Sequence, residues 1–492
     1  MSTSPTSKTP AAFVCECDAL NHSACKELPF YKKHEGKKYC VLHYPGKEKS
    51  TAFDEALKRK IDAEDFDFRG VWFPDKVEFG GFTFAKPVNF INATFSAEAF
   101  FYTATFSAGA YFNSATFKAD ALFNSAIFDS NVFFISAQFG TCGNFASAKF
   151  ASDAEFYAAT FSGLAIFETA SFNGGAAFNL VIFGDGAIFR VATFDLAASF
   201  YSAKFNAEAD FNSAKFNGEV SFHSTTFGDR VSFRAATFKD YVRFAGDEKN
   251  QYFDDKSSLD LQFARIEKPE RFSFHTVKLR PHWFVNVDAR KFEFTSVDWH
   301  WYNPHWYNRK IRGKLKRQLS EKAIPSYILL AVACRRLAVN AEENNLYWRA
   351  SSFRYLAMNV ERLDTGRGFA FWKVDWWYWL ASGFGERIPR ALVAFFVIWL
   401  SFALLFRLPN PVRCPEKGPA AYCLRWEEND KTRDYFDRFS NSAVYAVEVM
   451  TLQKPEPKPA SPVAHLAVML CALLGPVQAA LLALAIRRKF MR

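Results

Sequence analysis

The sequence predicts a β-solenoid followed by an α-helical linker and two membrane-spanning α-helices. Three observations carry this reading. Phenylalanine recurs at spacings of five and six residues over a long central stretch. Two apolar runs lie near the C-terminus. An aromatic and then basic segment stands between these regions.

Phenylalanine accounts for 58 of 492 residues, against 5 methionines. An ordinary core mixes Leu, Ile, Val and Phe, so this bias implies one structural slot filled repeatedly. From Phe90 through Phe95, Phe101 and Phe106 to Phe244 the spacing alternates five and six without a slip, an 11-residue double repeat. Two residues before nearly every Phe stands a small residue, as at Ala93, Ala104 and Ala115; Val132, Val181, Val220, Thr225, Val231 and Val242 are compact exceptions. A helix of 11-residue period would also need large apolar residues at i+3 and i+4, where alanine stands with Thr, Glu, Gly and Asp instead. If each short unit is one side of a square coil, Phe and the small residue point inward and polar residues form the corners. Two double repeats then make a coil of 22 residues. Seven coils between Phe90 and Phe244 would be ~34 Å long at about 4.8 Å each.

This pattern resembles the pentapeptide-repeat family, with its A-x-(L/F)-x-x unit, over about residues 79–294. The resemblance implies a right-handed quadrilateral β-helix, here with one extra residue in every second side. Phe253, Phe263, Phe272, Phe284 and Phe294 read as irregular closing coils. The expected domains are an N-terminal Cys/His segment (1–78), the β-helix (79–298) and a linker with a helical hairpin (299–388). A first span (389–408), an outer loop (409–462) and a second span with a basic tail (463–492) follow.

Charge is distributed unevenly. The chain carries net +10, yet residues 79–244 hold 10 basic and 13 acidic residues. The positive excess therefore lies outside the repeat, much of it near the apolar runs, which suits anionic lipid better than nucleic acid. Trp299, Trp301, Trp306 and Tyr307 precede Arg309, Lys310, Arg312, Lys314, Lys316 and Arg317, expected to contact anionic lipid. Residues 325–363 read as two helices, and the glycines after Asp364 as a break.

Residues 389–408 have an uncharged core from Ala391 to Phe406, with Trp372, Trp376, Trp377 and Trp379 upstream as an aromatic belt. Residues 463–486 are uncharged apart from His465 and end at Arg487, Arg488 and Lys489. At about 1.5 Å per residue each run approaches a ~30 Å hydrocarbon core; a buried soluble helix pair is the alternative. Basic residues at 309–317 and 487–492 place both termini in the cytoplasm by the positive-inside rule. The N-terminal residues lack the apolar core of a signal peptide, consistent with that topology. Residues 409–462 balance eight basic against eight acidic residues and can face outward. There Cys414 and Cys423 stand near enough for a disulfide, with two free thiols as the alternative.

Two further constellations carry chemistry. Cys15, Cys17, Cys25, Cys40 and His43 bring thiolates and an imidazole into one short segment, as a structural zinc site requires. Five donors exceed four positions, so Cys15 or Cys17 is surplus; reduced cysteines without metal are the alternative. The C-terminal third resembles bacterial pentapeptide-repeat membrane proteins whose tail is like a two-transmembrane potassium-channel module. The matching residues are Phe384-Gly-Glu-Arg, Phe439-Ser-Asn-Ser and the run 474–492. The resemblance implies location in the bacterial inner membrane, a fourfold homo-oligomer and a re-entrant pore helix at 436–453. Ser440, Ser442, Glu448 and Thr451 would be its pore residues. The filter glycines are missing: Thr451-Leu-Gln-Lys-Pro stands in their place, which does not support potassium selectivity. Gly475-Pro476 in the second span could act as a hinge.

No G-x-S-x-G, Walker A loop, H-E-x-x-H or dinucleotide fingerprint occurs. His223 and Asp210 fall on outward corners of the coil with no evident partner, so no enzyme is expected. The sequence reads as a membrane-anchored scaffold with a channel-like tail. The alternative is a non-conducting anchor that displays the β-helix to a protein partner. A third reading, DNA mimicry, needs a strongly acidic face that this repeat lacks.

Overall fold

The computed structural model describes residues 13–17, 19–25, 28–246, 252–253, 257–299, 326–364, 373–407, 424, 426–427 and 435–490. They fall into two compact units, Met1–Pro304 and His305–Arg492.

In the first unit short parallel strands stack into four sheets of ten, eight, nine and nine strands, the four faces of a solenoid. In the regular coils each strand pairs with the one 22 residues on, as Thr94–Phe95 pairs with Thr116–Phe117; the closing coils depart from this, with Val231 pairing to Leu259 and Val242 to Phe272. The predicted coil length therefore holds. Phe rings form one column behind each face. Phe73, Phe95 and Phe117 begin one; Phe79, Phe84 and Phe68 begin the others. Within a column the rings stack nearly parallel, Phe139 and Phe161 at 4.4 Å and 3°. Between columns they meet edge to face, Phe112 and Phe123 at 5.4 Å and 87°. Both arrangements suit the ring quadrupole. Ala93, Ala104 and Ala115 are wholly buried beside them, because a larger side chain there would displace a ring. Thr225, the polar exception, donates its hydroxyl to the Phe200 carbonyl at 2.7 Å.

The alternation of five and six has a backbone cause. Every eleventh residue, from Gly70 and Gly81 through Asn92 and Thr103 to Ala235, is left-handed. It is the third residue of a tight turn closed by Ala93 N–H to Phe90 C=O at 3.0 Å and its repeats. That corner spans the five-residue step; the six-residue step turns the next corner more widely.

The coil begins earlier than expected. Trp72–Phe73 and Val77–Glu78 already pair into the sheets, so a boundary at residue 79 cuts the first coil. At the other end Phe272, Phe284 and Phe292 are buried, whereas Phe263 is 58 % exposed beneath Arg234. Leu261 fills the inward position there. Two outward residues also correct the sequence reading. Asp210 accepts hydrogen bonds from Arg190 at 2.7 Å and from the Asn212 amide at 2.8 Å. His223 stacks on Tyr201. Sequence spacing placed both on outward positions but could not reveal neighbours one coil away.

In the second unit, α2 (Ser326–Glu343) and α3 (Tyr347–Asp364) form the expected hairpin, joined by Arg335 and Glu361 at 2.6 Å; the label α1 belongs to Ser50–Asp62 of the first unit. Next come α4 (Val374–Ser382), α5 (Ile388–Phe406), α6 (Phe439–Met450) and α7 (Pro462–Phe490). Helices α5 and α7 are long and apolar enough to cross a membrane.

Phe161→Ala should lower solenoid stability by about 3–5 kcal/mol, whereas Lys149→Ala, on the outward face, should change it little. Thermal unfolding followed by circular dichroism compares them, and equal shifts would contradict the inward assignment. Val191, β-branched, 43 % exposed and at φ 59°, carries a left-handed penalty of about 1–2 kcal/mol. Val191→Asn should therefore raise the melting temperature; a fall would show that the strain is not borne there.

Candidate functional site

The N-terminal segment folds so as to gather its cysteines. Strands β1 (Phe30–His34) and β2 (Lys37–Cys40) form a hairpin whose turn residues, Glu35 and Gly36, are both left-handed, the geometry of the favoured two-residue turn. The Glu16 amide bonds the Lys38 carbonyl at 2.8 Å, laying Cys15 and Cys17 beside β2. A 3₁₀ turn, Ala19–Cys25, presents Cys25. A turn closed by Tyr44 N–H to Cys40 C=O carries His43 back over the cluster.

The ligand atoms of Cys15, Cys17, Cys25 and His43 all lie within 4.8 Å of one another. Cys40 joins them, its sulfur 3.3 Å from His43 Nδ1 and its amide donating to Cys15 Sγ at 3.3 Å. All five sequence-identified donors therefore converge, and a Cys/His set of this kind can hold a metal ion. Cys15, Cys25, Cys40 and His43 are buried, and Cys17 is half-buried. The neighbouring Cys17, Cys25 and Cys40 thiols hold the Cys15 thiol far below its ordinary range. Burial works against a charged His43, but Cys15, Cys17 and Cys40 outweigh it and push the imidazole up to about 12.

The imidazole is oriented from behind. His43 Nε2 lies 2.9 Å from the Arg69 carbonyl, which can only accept, so Nε2 carries the proton and Nδ1 faces the sulfurs. This is the arrangement that aims a metal-binding histidine. Asp67 grips Arg69 through Nε at 3.0 Å and Nη2 at 2.8 Å, and also accepts the Ser23 hydroxyl at 2.7 Å. No local motif in the sequence signalled these supports.

The second unit contains an apolar bundle. Helix α6 packs against both α5 and α7 through Ala443, Tyr445, Ala446, Val449 and Met450, which meet Ala403, Phe406, Ala467 and Cys471. Trp399 Nε1 donates to the Ala443 carbonyl at 3.0 Å, and the Tyr445 hydroxyl to the Pro457 carbonyl at 3.0 Å. Of the expected pore residues, Ser440 is exposed on the side of α6 that carries Val444 and Val447, with Glu448 half-buried beside them and Thr451 exposed at the cap that follows the helix. Ser442 is instead buried, with its hydroxyl on the Phe436 carbonyl at 3.3 Å. Two residues from Ser440 along a helix is about 200°, which turns it to the opposite side. Helix α7 runs unbroken through Pro476. At Gly475 a Cβ would lie 2.6 Å from the Met450 side chain, so this glycine admits close packing of α6. Cys414, Cys423 and the basic run Arg309, Lys310, Arg312, Lys314, Lys316 and Arg317 lie outside the described residues.

Sequence reasoning missed one cluster. Gly383, Phe384 and Gly385 are successive left-handed residues, and they present Glu386, whose side chain is 1 % exposed, to Arg354 of α3 and Arg488 of α7, each at 3.1 Å. Arg354 also pairs with Glu342 of α2. Arg488 Nη1 caps the Phe384 carbonyl at 3.0 Å, and Gln478 Nε2 bonds the Ala381 and Ala391 carbonyls at 2.9 and 2.8 Å. The helical hairpin and the end of α7 are thereby tied to the turn before α5. Only the isolated acidic residue just before the first span hinted at this. Glu386→Ala should destabilise the unit by about 1–3 kcal/mol, the cost of removing a buried charged acceptor from two half-buried arginines. Arg335→Ala, at an exposed pair, should cost about 0–1 kcal/mol; equal melting shifts in detergent would contradict the assigned burial.

A family model described as Pentapeptide repeats (9 copies) matches residues 200–246. No curated protein and no solved structure matches the chain. The matched residues continue the regular coils, pairing back to the coil before them in the same 22-residue register and stacking their rings on it. The solenoid of this chain is therefore a pentapeptide-repeat β-helix with phenylalanine in the inward slot of its four faces.

Proposed function

We propose that this protein is a membrane-anchored pentapeptide-repeat scaffold whose two-span tail self-associates into a weakly selective cation channel. One observation carries the reading: a 12-residue helix, α6, packs against two helices of membrane-spanning length and leaves Ser440 exposed, Glu448 half-buried and Thr451 exposed at its cap. Two spans cannot enclose a pore, so conduction requires several copies. The apolar residues left on the outside of α5 and α7, among them Phe396, Leu400, Met469 and Leu473, favour lipid over water as their surroundings. Both termini would face the cytoplasm of a bacterial inner membrane, with the basic run at 309–317 on anionic headgroups. Zinc is our choice for the Cys/His cluster, because a buried thiolate–imidazole donor set suits its tetrahedral preference.

The second reading is a non-conducting anchor that displays the solenoid to a protein partner. It is favoured by Val444 and Val447, apolar residues on the same side of α6, and by the absence of glycine in Thr451–Pro455.

Reconstituted full-length protein decides between them. An oligomer in mild detergent should pass currents that prefer cations over anions yet discriminate little between sodium and potassium. A ring of Glu448 carboxylates acts by charge, without a carbonyl cage, so Glu448→Gln should reduce the cation preference. A monomer, or a verified oligomer without current, would favour the anchor. Sharp potassium selectivity would contradict the proposed basis of selection.

A further inference from the structure

A solenoid leaves an open end wherever its first coil has no predecessor. There, unpaired amides and carbonyls and the last inward ring face water, and repeat proteins cover such ends with an atypical cap. Here residues 13–17, 19–25 and 28–62 lie over the first coil. Phe53 of α1 (Ser50–Asp62) sets its ring edge-on to Phe73 at 5.4 Å. The Trp72 amide of the first strand donates to the Leu42 carbonyl at 3.0 Å. Lys49 is buried over the Phe53 ring at 4.6 Å, its Nζ donating to that same carbonyl at 2.8 Å.

The cap has little core of its own. Its buried apolar residues include Val41, Leu42, Phe53 and Ala56, besides the cysteines; α1 otherwise exposes much of its surface. A segment this poor in apolar burial needs a cross-link. The described residues contain no disulfide among its cysteines. The Cys/His cluster sits where the three pieces of the cap meet: residues 15–17, the turn ending at Cys25, and the hairpin with His43. From there it reaches the first coil by one bond, His43 Nε2 to the Arg69 carbonyl, with Arg69 held by Asp67 and Asp67 tied back to Ser23.

We propose that a zinc ion held by Cys15, Cys25, Cys40 and His43 is the clasp that closes the N-terminal end of the solenoid, with His43 joining metal to coil through Arg69. This rests on zinc as the occupant. Cys17 also lies within 4.8 Å of Cys15, Cys25 and His43, so the ligand choice follows burial: structural zinc sites are closed to water, Cys17 is the half-buried donor of the five, and the buried Cys40 sulfur lies 3.3 Å from His43 Nδ1. Cys17 is then the surplus thiol.

The test uses the full-length chain in detergent, with metal analysis and hydrogen exchange at residues 66–73 read side by side. One zinc per chain is expected. Removing it with a chelator should raise exchange at the Trp72 amide at least tenfold and open the hairpin lysines, Lys32, Lys33, Lys37 and Lys38, to trypsin; added zinc should reverse both. Cys40→Ser should lose the metal and Cys17→Ser should keep it. His43→Cys separates metal from clasp, since a fourth thiolate retains zinc but no longer donates to Arg69. It should keep the ion yet loosen residues 66–73. Absence of metal from reduced, folded protein would overturn zinc as the occupant. Bound zinc whose removal leaves exchange and cleavage unchanged would overturn the clasp while leaving the metal site intact. Loss of zinc in Cys17→Ser with retention in Cys40→Ser would overturn the ligand set.

Discussion

The first unit depends on one constraint: ring must lie on ring at the strand spacing of a parallel ladder. Backbone hydrogen bonds set neighbouring coils about 4.8 Å apart, and stacked phenylalanines settle at 4.4–5.4 Å in the column from Phe139 to Phe183. The two distances agree, so the ladder and the ring columns reinforce each other. A branched aliphatic side chain would fill the slot without this match of flat faces. Small residues beside the rings, and a left-handed corner every eleven residues, follow from keeping every ring over its predecessor.

That regularity makes the ends the weak points, because interior coils are each supported from two sides. The C-terminal end is filled irregularly, with Leu261 inward where Phe263 turns out to solvent and with Trp283, Phe284 and Trp299 buried. The N-terminal end is covered by a segment with few apolar residues, and there the thiols and imidazole gather. A Cys/His cluster able to hold a metal thus stands at the end whose covering segment buries few apolar side chains.

The second unit uses different physics. Its long helices leave Val, Leu and Phe exposed, while small apolar, aromatic and polar side chains make its internal contacts. Tyr445, Trp426 and Phe436 cluster around Phe406, and Glu386 gathers two arginines beside the start of α5 and the end of α7. A buried carboxylate between two guanidinium groups is costly to break, so it fixes the relative positions of α3, α7 and the turn before α5.

Much of this was legible from the letters, because a repeat declares itself through period and a span through an uncharged run. The alternation of Phe by itself determined a four-sided coil of 22 residues. It also extended back to Phe68, a continuation hidden by the irregular residues around it. The five donors Cys15, Cys17, Cys25, Cys40 and His43 could be named from the sequence, as could the two spans and the helix between them. Only the tertiary structure decided that Arg69 orients His43, that Ser442 turns away from Ser440, that Asp210 pairs with Arg190, and that Glu386 joins Arg354 to Arg488. Period and composition report on neighbours along the chain and on the medium a face prefers. Which polar groups meet across coils or helices is set by stacking and packing angles, and those arise only when distant segments come together.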